Sequence, residues 1–260
     1  GHIACHETDA IEATGHKVLP IPCVDGKITA DQVREFCHSH QTNTMREHMV
    51  QPGMVYISFP TEIGSLYTKK ELKELSAACH ENGIPLYIDG ARMGYGLTSP
   101  DADVTLQDIA SLCDMFYIGG TKCGAVMGEA LVITNPALKE GFRYTIKQHG
   151  GLLAKGRYLG IQFDVLFEDD LYFTICKKAV EQSMAIRRAF EEKGIQMDSD
   201  SSTNQQFPIL TREQMDKLAQ KYSYEIWEEY DETHTVVRFC TSWATQDQNV
   251  QQLLEDIRAL

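Results

Sequence analysis

The sequence predicts an α/β protein with a mostly parallel β-sheet covered by helices on both faces, followed by a small α+β domain. In the first half of the 260 residues, short apolar runs alternate with segments that begin at helix-capping residues. Continuous apolar runs are typical of strands buried on both faces, and their alternation with helices is typical of parallel sheets. Beyond residue 195 the order changes to strand, helix, strand, strand and helix, which indicates the second unit.

The strands of the first unit are predicted from five apolar runs of strand length. These runs are KVLPIP (17–22), GMVYISFP (53–60), IPLYID (84–89), MFYIGG (115–120) and EALVIT (129–134).

The helices between these strands are predicted from capping boxes, in which a threonine side chain and a polar side chain three residues later bond each other's backbone N–H groups. Thr29 with Gln32 begins one such helix, and Thr68 with Glu71 begins another. A third helix is predicted over about 105–112.

The second half is predicted to be helical from about 136 to 194, ending at Gly194. Three further strands are predicted, together with one helix that begins at Thr211 with Gln214 and another that begins at Thr245 with Gln248. The strands are NQQFPIL, YEIWEEY and TVVRFCTS. We therefore expect a large cofactor-binding domain over 1–150, linking helices over 151–194 and a small domain over 195–260.

Composition excludes several functional classes. The net charge of -13, with 24 basic and 37 acidic side chains, argues against binding to nucleic acid. No apolar run approaches the length needed to span a bilayer, and no signal peptide opens the chain, so we expect a cytoplasmic protein. The eight cysteines form no C-x-x-C pair, which favours reduced thiols over disulfides. The nine histidines show no metal-binding spacing, so no metal site is predicted.

Two residues that directly follow predicted strands indicate the chemistry. Asp89 follows IPLYI and Lys122 follows MFYIGGT, about one helical crossover later. Ligands of open parallel sheets bind beyond the carboxyl ends of the strands, so both side chains could face one crevice. Pyridoxal phosphate needs a lysine to form an imine with its aldehyde and a carboxylate to keep its pyridine nitrogen protonated.

Each residue also has a simpler interpretation. Asp89 could be a helix N-cap or a salt-bridge partner at the sheet end, and Lys122 could be an ordinary loop lysine. Their joint placement after neighbouring strands favours the cofactor site.

These segments resemble a known enzyme family. YIDGARMGYGL followed by DMFYIGGTKCGAVMGEALVI is similar to the fold-type I pyridoxal-phosphate enzymes, and most similar to the threonine aldolase and β-eliminating lyase family. That family carries an H-x-D-G-A-R strand end and an S-K-G-x-G lysine loop. The resemblance extends from HIACHE to TVVRFC and implies the fold of type I enzymes.

The resemblance implies a role for several cofactor-site residues. Lys122 would be the imine lysine, and Thr121 would be the hydroxyl residue that precedes it. Asp89 would pair with the pyridine nitrogen, and Arg92 would help to hold the cofactor or the substrate carboxylate. His2, with Glu7 five positions later, would be the histidine that stacks on the cofactor ring.

Arg238 would be the small-domain arginine that grips the α-carboxylate of the substrate. The alternative for Arg238, from its place in the alternating strand TVVRFC, is a surface charge on an edge strand.

The chain departs from the family pattern in three segments. PTEIG places Glu62 where the family usually has a histidine, so Glu62 is the candidate catalytic base. The lysine loop has the sequence TKCGA, and GGLLAKG at 150–156 replaces a glycine-rich stretch that carries an arginine. The cofactor assignment is unaffected by these differences, whereas the substrate and reaction are left open.

The family's opening segment carries a loop that cradles the cofactor phosphate, and this loop is absent from the sequence. We therefore expect the 260 residues to be the C-terminal part of a longer protein. The resemblance also implies a homodimer or homotetramer.

The predicted function is a pyridoxal-phosphate lyase that acts on a small amino acid through Lys122, by aldol cleavage or β-elimination. Two alternatives are an aminotransferase-like enzyme on the same scaffold and a catalytically silent relative that binds the cofactor.

Overall fold

The computed structural model describes all 260 residues. Ten α-helices are present: α1 (His2–Cys5), α2 (Ala30–Thr42), α3 (Lys69–Glu81), α4 (Met93–Leu97), α5 (Leu106–Leu112), α6 (Phe142–Gln148), α7 (Arg157–Phe167), α8 (Leu171–Glu192), α9 (Arg212–Ala219) and α10 (Asp247–Arg258). Eight strands form two sheets: β1 (Val55–Ser58), β2 (Leu86–Asp89), β3 (Met115–Ile118), β4 (Ala130–Ile133), β5 (Gln205–Gln206), β6 (Ile209–Thr211), β7 (Glu225–Glu229) and β8 (His234–Cys240). None of the helices has the length and apolar character needed to cross a membrane.

The first sheet has the order β1-β2-β3-β4. Strands β1, β2 and β3 are parallel, and β4 pairs with β3 in the antiparallel direction. This arrangement confirms the mostly parallel sheet predicted from the apolar runs. Successive residues of a strand point to opposite faces, and the face that carries Ile57, Ile88 and Phe116 is buried in the core of the protein. The other face carries Tyr56, Tyr87 and Tyr117 and forms part of the candidate site.

Helices α2 and α3 begin where the capping boxes place them. The side chain of Thr29 accepts from the N–H of Gln32, that of Thr68 accepts from the N–H of Glu71, and both bonds are reciprocated. Helix α5 begins in the same way at Thr105. Each cap satisfies backbone donors that a helix start leaves unpaired, so these short helices begin at defined residues.

Strand β8 lies at the centre of the second sheet, where β5, β6 and β7 all pair with it in the antiparallel direction. A separate apolar cluster forms between this sheet and helices α8, α9 and α10. Phe190, Val237 and Ile257 lie fully buried in that cluster. Helix α8 contributes to both apolar clusters and therefore connects the two sheets.

Three details of the predicted elements are wrong. KVLPIP forms no strand: Pro20 and Pro22 carry no N–H to donate to a sheet, and no neighbouring strand lies beside the run. NQQFPIL forms the separate strands β5 and β6, which are interrupted at Phe207 and Pro208.

The last helix follows Gln246 and has no side-chain cap, so the predicted Thr245–Gln248 box is absent. The hydroxyl of Thr245 instead accepts a hydrogen bond from the N–H of Ser242, at 2.8 Å. The Thr245 hydroxyl, which would have accepted from a helix N–H in a capping box, is therefore engaged in the turn before the helix.

Candidate active site

The loops that follow β2 and β3 pack directly against each other. The N–H of Gly119 donates to the carbonyl of Gly90 at 2.8 Å. A Cβ atom on Gly90 would lie 2.0 Å from the carbonyl oxygen of Tyr117, and one on Gly119 would lie 2.2 Å from that of Ala91. No side chain fits at either glycine, so the close packing that brings the Asp89 and Lys122 segments together depends on both.

Asp89 is held by three donors at the carboxyl end of β2. Its Oδ1 accepts from the N–H of Ala91 at 2.9 Å and from the hydroxyl of Tyr117, while its Oδ2 accepts from the hydroxyl of Tyr56. Burial raises the pKa of both tyrosines, and the nearby Asp89 carboxylate raises it further. Both hydroxyls therefore remain protonated and donate to Asp89 at any physiological pH.

The loop that carries Lys122 is fixed on two sides. Glu129 accepts from the N–H of Gly120 and, at 3.0 Å, from the hydroxyl of Thr121. Tyr95 donates its hydroxyl to the carbonyl of Lys122. These bonds hold the backbone on either side of the lysine and leave the Lys122 amine free of hydrogen-bonded partners.

The surroundings of the Lys122 amine favour its neutral form. Desolvation of the amine by nearby protein atoms is the main cause of the lowered pKa of Lys122, although its side chain remains accessible to solvent. The positive charge of Arg92 is the second cause. The negative charges of Asp89 and Glu129 act in the opposite direction without cancelling the effect. Only a neutral amine can attack a carbonyl group, so this lysine is better suited to that reaction than an ordinary surface lysine.

We expect Lys122 to react with an amine-acylating reagent at pH 8 faster than Lys70, whose side chain is 84% exposed. Replacing Arg92 with Gln removes a positive neighbour, which raises the pKa of Lys122, decreases the neutral fraction of its amine at pH 8 and slows its acylation. Peptide mass spectrometry of briefly labelled protein measures both lysines at once, with Lys70 as the internal reference. Equal acylation of Lys122 in wild type and Arg92→Gln would contradict the assigned influence of Arg92.

Arg238 lies on the central strand of the second sheet, so its interpretation as an edge-strand surface charge is wrong. Its side chain is only 12% exposed. Its Nη1 donates to Oε1 of Gln205 at 3.1 Å, its Nη2 donates to Glu225, and its guanidinium carbon lies 5.1 Å from the ring centroid of Trp227. Its Nε is buried and has no hydrogen-bond partner. An arginine fixed in this way still has donor capacity for a ligand carboxylate.

Glu62 and His2 lie side by side. The backbone N–H of His2 donates to Oε1 of Glu62, while Oε2 of Glu62 makes no hydrogen bond. The ring Nδ1 of His2 lies 3.2 Å from Oε1 of Glu7. The main-chain carbonyl of Glu62 accepts from Nε2 of Gln205 at 3.3 Å, so one buried glutamine joins the Glu62 segment to Arg238.

The predicted site residues thus form two groups. Lys122, Thr121, Asp89 and Arg92 belong to the strand-end loops of the first sheet. Glu62 and Arg238 are linked through Gln205, and His2 joins this second group through its hydrogen bond to Glu62. Cys240 lies near charged residues of both groups: desolvation raises the pKa of its thiol, while the charges of Arg238, Arg92 and Lys122 all act to lower it. The three cations therefore lie within electrostatic range of one point.

Several residues of this region were not predicted from the sequence: Tyr56, Tyr117, Glu129, Gln205 and Glu225. Tyr117 precedes Lys122 by five positions, and Tyr56 lies in the middle of an apolar run, so each has the pattern of an ordinary strand residue. The available signal was strand periodicity, because Tyr87 and Asp89 are two residues apart on one strand and so share a face.

The side chains at the strand ends fit the chemistry of pyridoxal phosphate. The cofactor aldehyde requires an amine that loses its proton readily, and the environment of Lys122 supplies one. The pyridine nitrogen requires an anionic acceptor, and Asp89 supplies a carboxylate whose orientation is set by three donors. Lys122 and Asp89 would therefore hold the two reactive positions of the ring.

Comparisons with known proteins agree with this chemistry. The family model described as "Beta-eliminating lyase" matches residues 1–229. The chain is 30% identical to a low specificity L-threonine aldolase of a Pseudomonas species (strain NCIMB 10558), over 100% of this chain and 74% of the relative.

Among solved structures, the threonine aldolase of Leishmania major superposes with a TM-score of 0.95 and 44% identity, over 100% of this chain and 75% of that one. The serine palmitoyltransferase of Sphingomonas wittichii superposes with a TM-score of 0.61 at 11% identity, over 89% of this chain and 58% of that one, which shows a shared fold alone. The family match and the extent of these similarities show that the chain belongs to the β-eliminating lyase family and is a lyase whose relatives include threonine aldolases.

Proposed function

We propose that this protein binds pyridoxal phosphate through Lys122 and Asp89 and cleaves the Cα–Cβ bond of a small β-hydroxy amino acid such as threonine. One observation carries the proposal. A lysine with a lowered pKa and an oriented aspartate follow adjacent parallel strands, on loops joined by a 2.8 Å backbone hydrogen bond. The names of the relatives favour threonine as the substrate.

Pyridoxal phosphate, when bound, supplies an aldehyde carbon and a pyridinium ring that accepts electrons from the substrate. Lys122 would supply the amine that anchors the aldehyde carbon. Asp89 would keep a proton at the ring nitrogen, because its carboxylate can accept a charge-assisted hydrogen bond there. Arg92 adds a positive charge beside Lys122 and is placed to attract an anionic group of the cofactor or the substrate.

Arg238 binds the α-carboxylate of the amino acid. Its guanidinium group is held by Gln205, Glu225 and the Trp227 ring, so little side-chain entropy is lost when a carboxylate binds. The contact of Gln205 with the Glu62 carbonyl fixes the distance between the carboxylate-binding group and the candidate base. A substrate held at its carboxylate would thus present its β carbon to a defined position.

Glu62 takes the proton from the β-hydroxyl group as the Cα–Cβ bond breaks. Its Oε1 is occupied by the N–H of His2, which fixes the carboxylate, and its Oε2 is free to accept the proton. His2 lies beside Glu62 and in contact with Glu7, and its ring would cover one face of the cofactor ring.

Product analysis tests the reaction and separates it from the alternatives. The protein loaded with pyridoxal phosphate is incubated separately with L-threonine, L-serine and L-cysteine. Aldol cleavage of threonine gives glycine and acetaldehyde. β-Elimination from serine, with loss of water, or from cysteine, with loss of hydrogen sulfide, gives pyruvate and ammonia after hydrolysis. Transamination would convert the cofactor to its amine form without glycine release. Glycine as the main product from threonine supports the proposal, and pyruvate from serine in its absence would replace it with β-elimination.

The role of Arg238 is tested by its replacement with Gln. Loss of a bidentate, charge-assisted contact of about 3 kcal/mol should raise KM for the amino acid about 100-fold, with a smaller change in kcat. Steady-state kinetics with threonine gives both constants, and thermal unfolding checks that the sheet is intact.

Arg212→Gln is the matched control for Arg238→Gln, because Arg212 lies in the same half of the chain and is 84% exposed. Its KM should equal that of the wild type. An unchanged KM in Arg238→Gln would exclude this arginine from carboxylate binding.

A further inference from the structure

Three tyrosines, one from each of β1, β2 and β3, lie on the half-buried face of the first sheet. Tyr56 on β1 pairs in register with Tyr87 on β2, and Tyr117 on β3 lies one residue beyond the pair formed by Ile88 and Phe116. Asp89 lies two residues after Tyr87 and therefore on the same face of β2. The aspartate is thus flanked by a tyrosine from each neighbouring strand.

The two flanking tyrosines donate to different oxygens of the same carboxylate. The Tyr56 hydroxyl donates to Oδ2 of Asp89, and the Tyr117 hydroxyl donates to Oδ1. Hydrogen bonds to an ionised acceptor are about twice as strong as neutral ones, and two of them from opposite sides define the plane of the carboxylate. Each carboxylate oxygen can accept about two bonds, so Oδ2 retains one acceptor position for a ligand.

Tyr87 lies on the same face of the sheet but makes no hydrogen bond to Asp89. Its ring stacks on that of Tyr56 with centroids 5.0 Å apart and lies 6.4 Å from that of Tyr117. Its hydroxyl makes no hydrogen bond to Asp89, whose acceptor contacts are those to Tyr56, Tyr117 and Ala91. This face therefore carries two tyrosines that donate a hydrogen bond to Asp89 and one that does not.

We propose that Tyr56 and Tyr117 are positioning residues that hold the Asp89 carboxylate aimed at the cofactor's ring nitrogen, an inference that rests on the proposed function. The two hydroxyl donors hold the carboxylate in one orientation, in which it can accept a charge-assisted hydrogen bond from a protonated ring nitrogen. The protonated ring is the form that accepts electrons. The two hydroxyls thus act on the reaction through Asp89, without touching the substrate.

In a purely structural role, each hydroxyl would only link its strand to β2 by a hydrogen bond, and the two roles predict different results. Loss of a structural link would lower thermal stability and leave the protonation of the ring nitrogen unchanged. Loss of a positioning residue would lower the protonated fraction of the ring nitrogen in a protein that remains folded. Phenylalanine is the suitable replacement because it keeps the stacked ring and removes only the hydroxyl group.

The test uses Tyr56→Phe and Tyr117→Phe, with Tyr87→Phe as the matched control and Asp89→Asn as the reference for a ring nitrogen without an anionic partner. Each protein is loaded with pyridoxal phosphate labelled with ¹⁵N in the ring, and the ¹⁵N chemical shift is measured. We expect the wild type and Tyr87→Phe to give the shift of a protonated ring. Tyr56→Phe and Tyr117→Phe should each move toward the Asp89→Asn value, with the ratio of protonated to neutral ring falling about tenfold.

Kinetics provides the second readout. For each of the two hydroxyl variants, kcat for threonine should fall about tenfold while KM changes little, because the substrate-binding groups are intact. Tyr87→Phe should keep the wild-type kcat. Should one variant fail to fold, the other still decides the question, because each hydroxyl contacts a different oxygen of Asp89.

Two outcomes separate this inference from the proposed function. Wild-type protein that shows no label on Lys122 after borohydride reduction with pyridoxal phosphate would overturn both. Normal labelling of Lys122 together with wild-type ¹⁵N shifts in Tyr56→Phe and Tyr117→Phe would overturn the positioning role alone.

Discussion

Replacement of Lys122 with alanine is expected to abolish the lyase reaction and the tight retention of pyridoxal phosphate. Desolvation by the surrounding protein and the charge of Arg92 lower the pKa of Lys122, and its loop is fixed by Glu129 and Tyr95. Removal of a group that bonds covalently to a reactant lowers kcat by about 10³-fold or more. Gel filtration followed by cofactor absorbance measures retention, and product assays measure kcat.

Two controls accompany the Lys122→Ala variant. Lys122→Arg keeps the positive charge but cannot anchor the aldehyde, so it should be equally inactive. Lys70→Ala removes an exposed lysine of α3 and should behave as the wild type. Borohydride reduction of the loaded wild type, followed by peptide mapping, should place the label on Lys122, and a label on another lysine would disprove the assignment.

Replacement of Glu62 with glutamine is expected to lower kcat by about 10²–10⁴-fold, the usual contribution of general acid–base catalysis. Glutamine has nearly the shape of glutamate and retains an oxygen that can accept the N–H of His2, so the local fold should persist. It cannot take a proton from the β-hydroxyl group. The cofactor absorbance should therefore remain unchanged while glycine production from threonine falls.

Glu74→Gln, on the surface of α3, is the matched control for Glu62→Gln and should keep the wild-type rate. We also expect threonine cleavage to be slow beside that of relatives with a histidine at this position, because histidine titrates near neutral pH and an ordinary glutamate is a weaker base there. Wild-type kcat in Glu62→Gln would remove Glu62 from the mechanism. Brisk threonine cleavage by the wild type would show that the histidine is dispensable.

Strands β1 to β4 and the positions of Asp89 and Lys122 were predictable because their signals are local. A buried parallel strand is a short apolar run, and the residue that follows it lies at the ligand-binding edge of the sheet whatever the rest of the chain does. The capping boxes at Thr29 and Thr68 are equally local, since each bond spans three residues. The hypothesis of a lysine and an aspartate in one crevice needed only these two rules.

KVLPIP and Thr245 show where local signals are insufficient. The first has a strand-like composition but no strand beside it, and the second has a capping sequence whose threonine bonds Ser242 instead. A strand exists only when a partner supplies its hydrogen bonds, and the hydroxyl of a capping residue can be bonded by a backbone N–H outside the helix instead. Neither condition can be read from the segment itself.

The sequence alone predicted the chemistry of the site. Residue type and strand context indicated a reactive lysine and a ring-nitrogen carboxylate, and the family resemblance implied a carboxylate-binding arginine. The tertiary structure decided which groups surround them. Tyr56 and Tyr117 reach Asp89 from neighbouring strands, Arg92 lies close enough to lower the pKa of Lys122, and Gln205 joins Arg238 to the Glu62 segment. These contacts join residues as many as 143 positions apart along the chain, and such pairs form only when strand order and register bring them together.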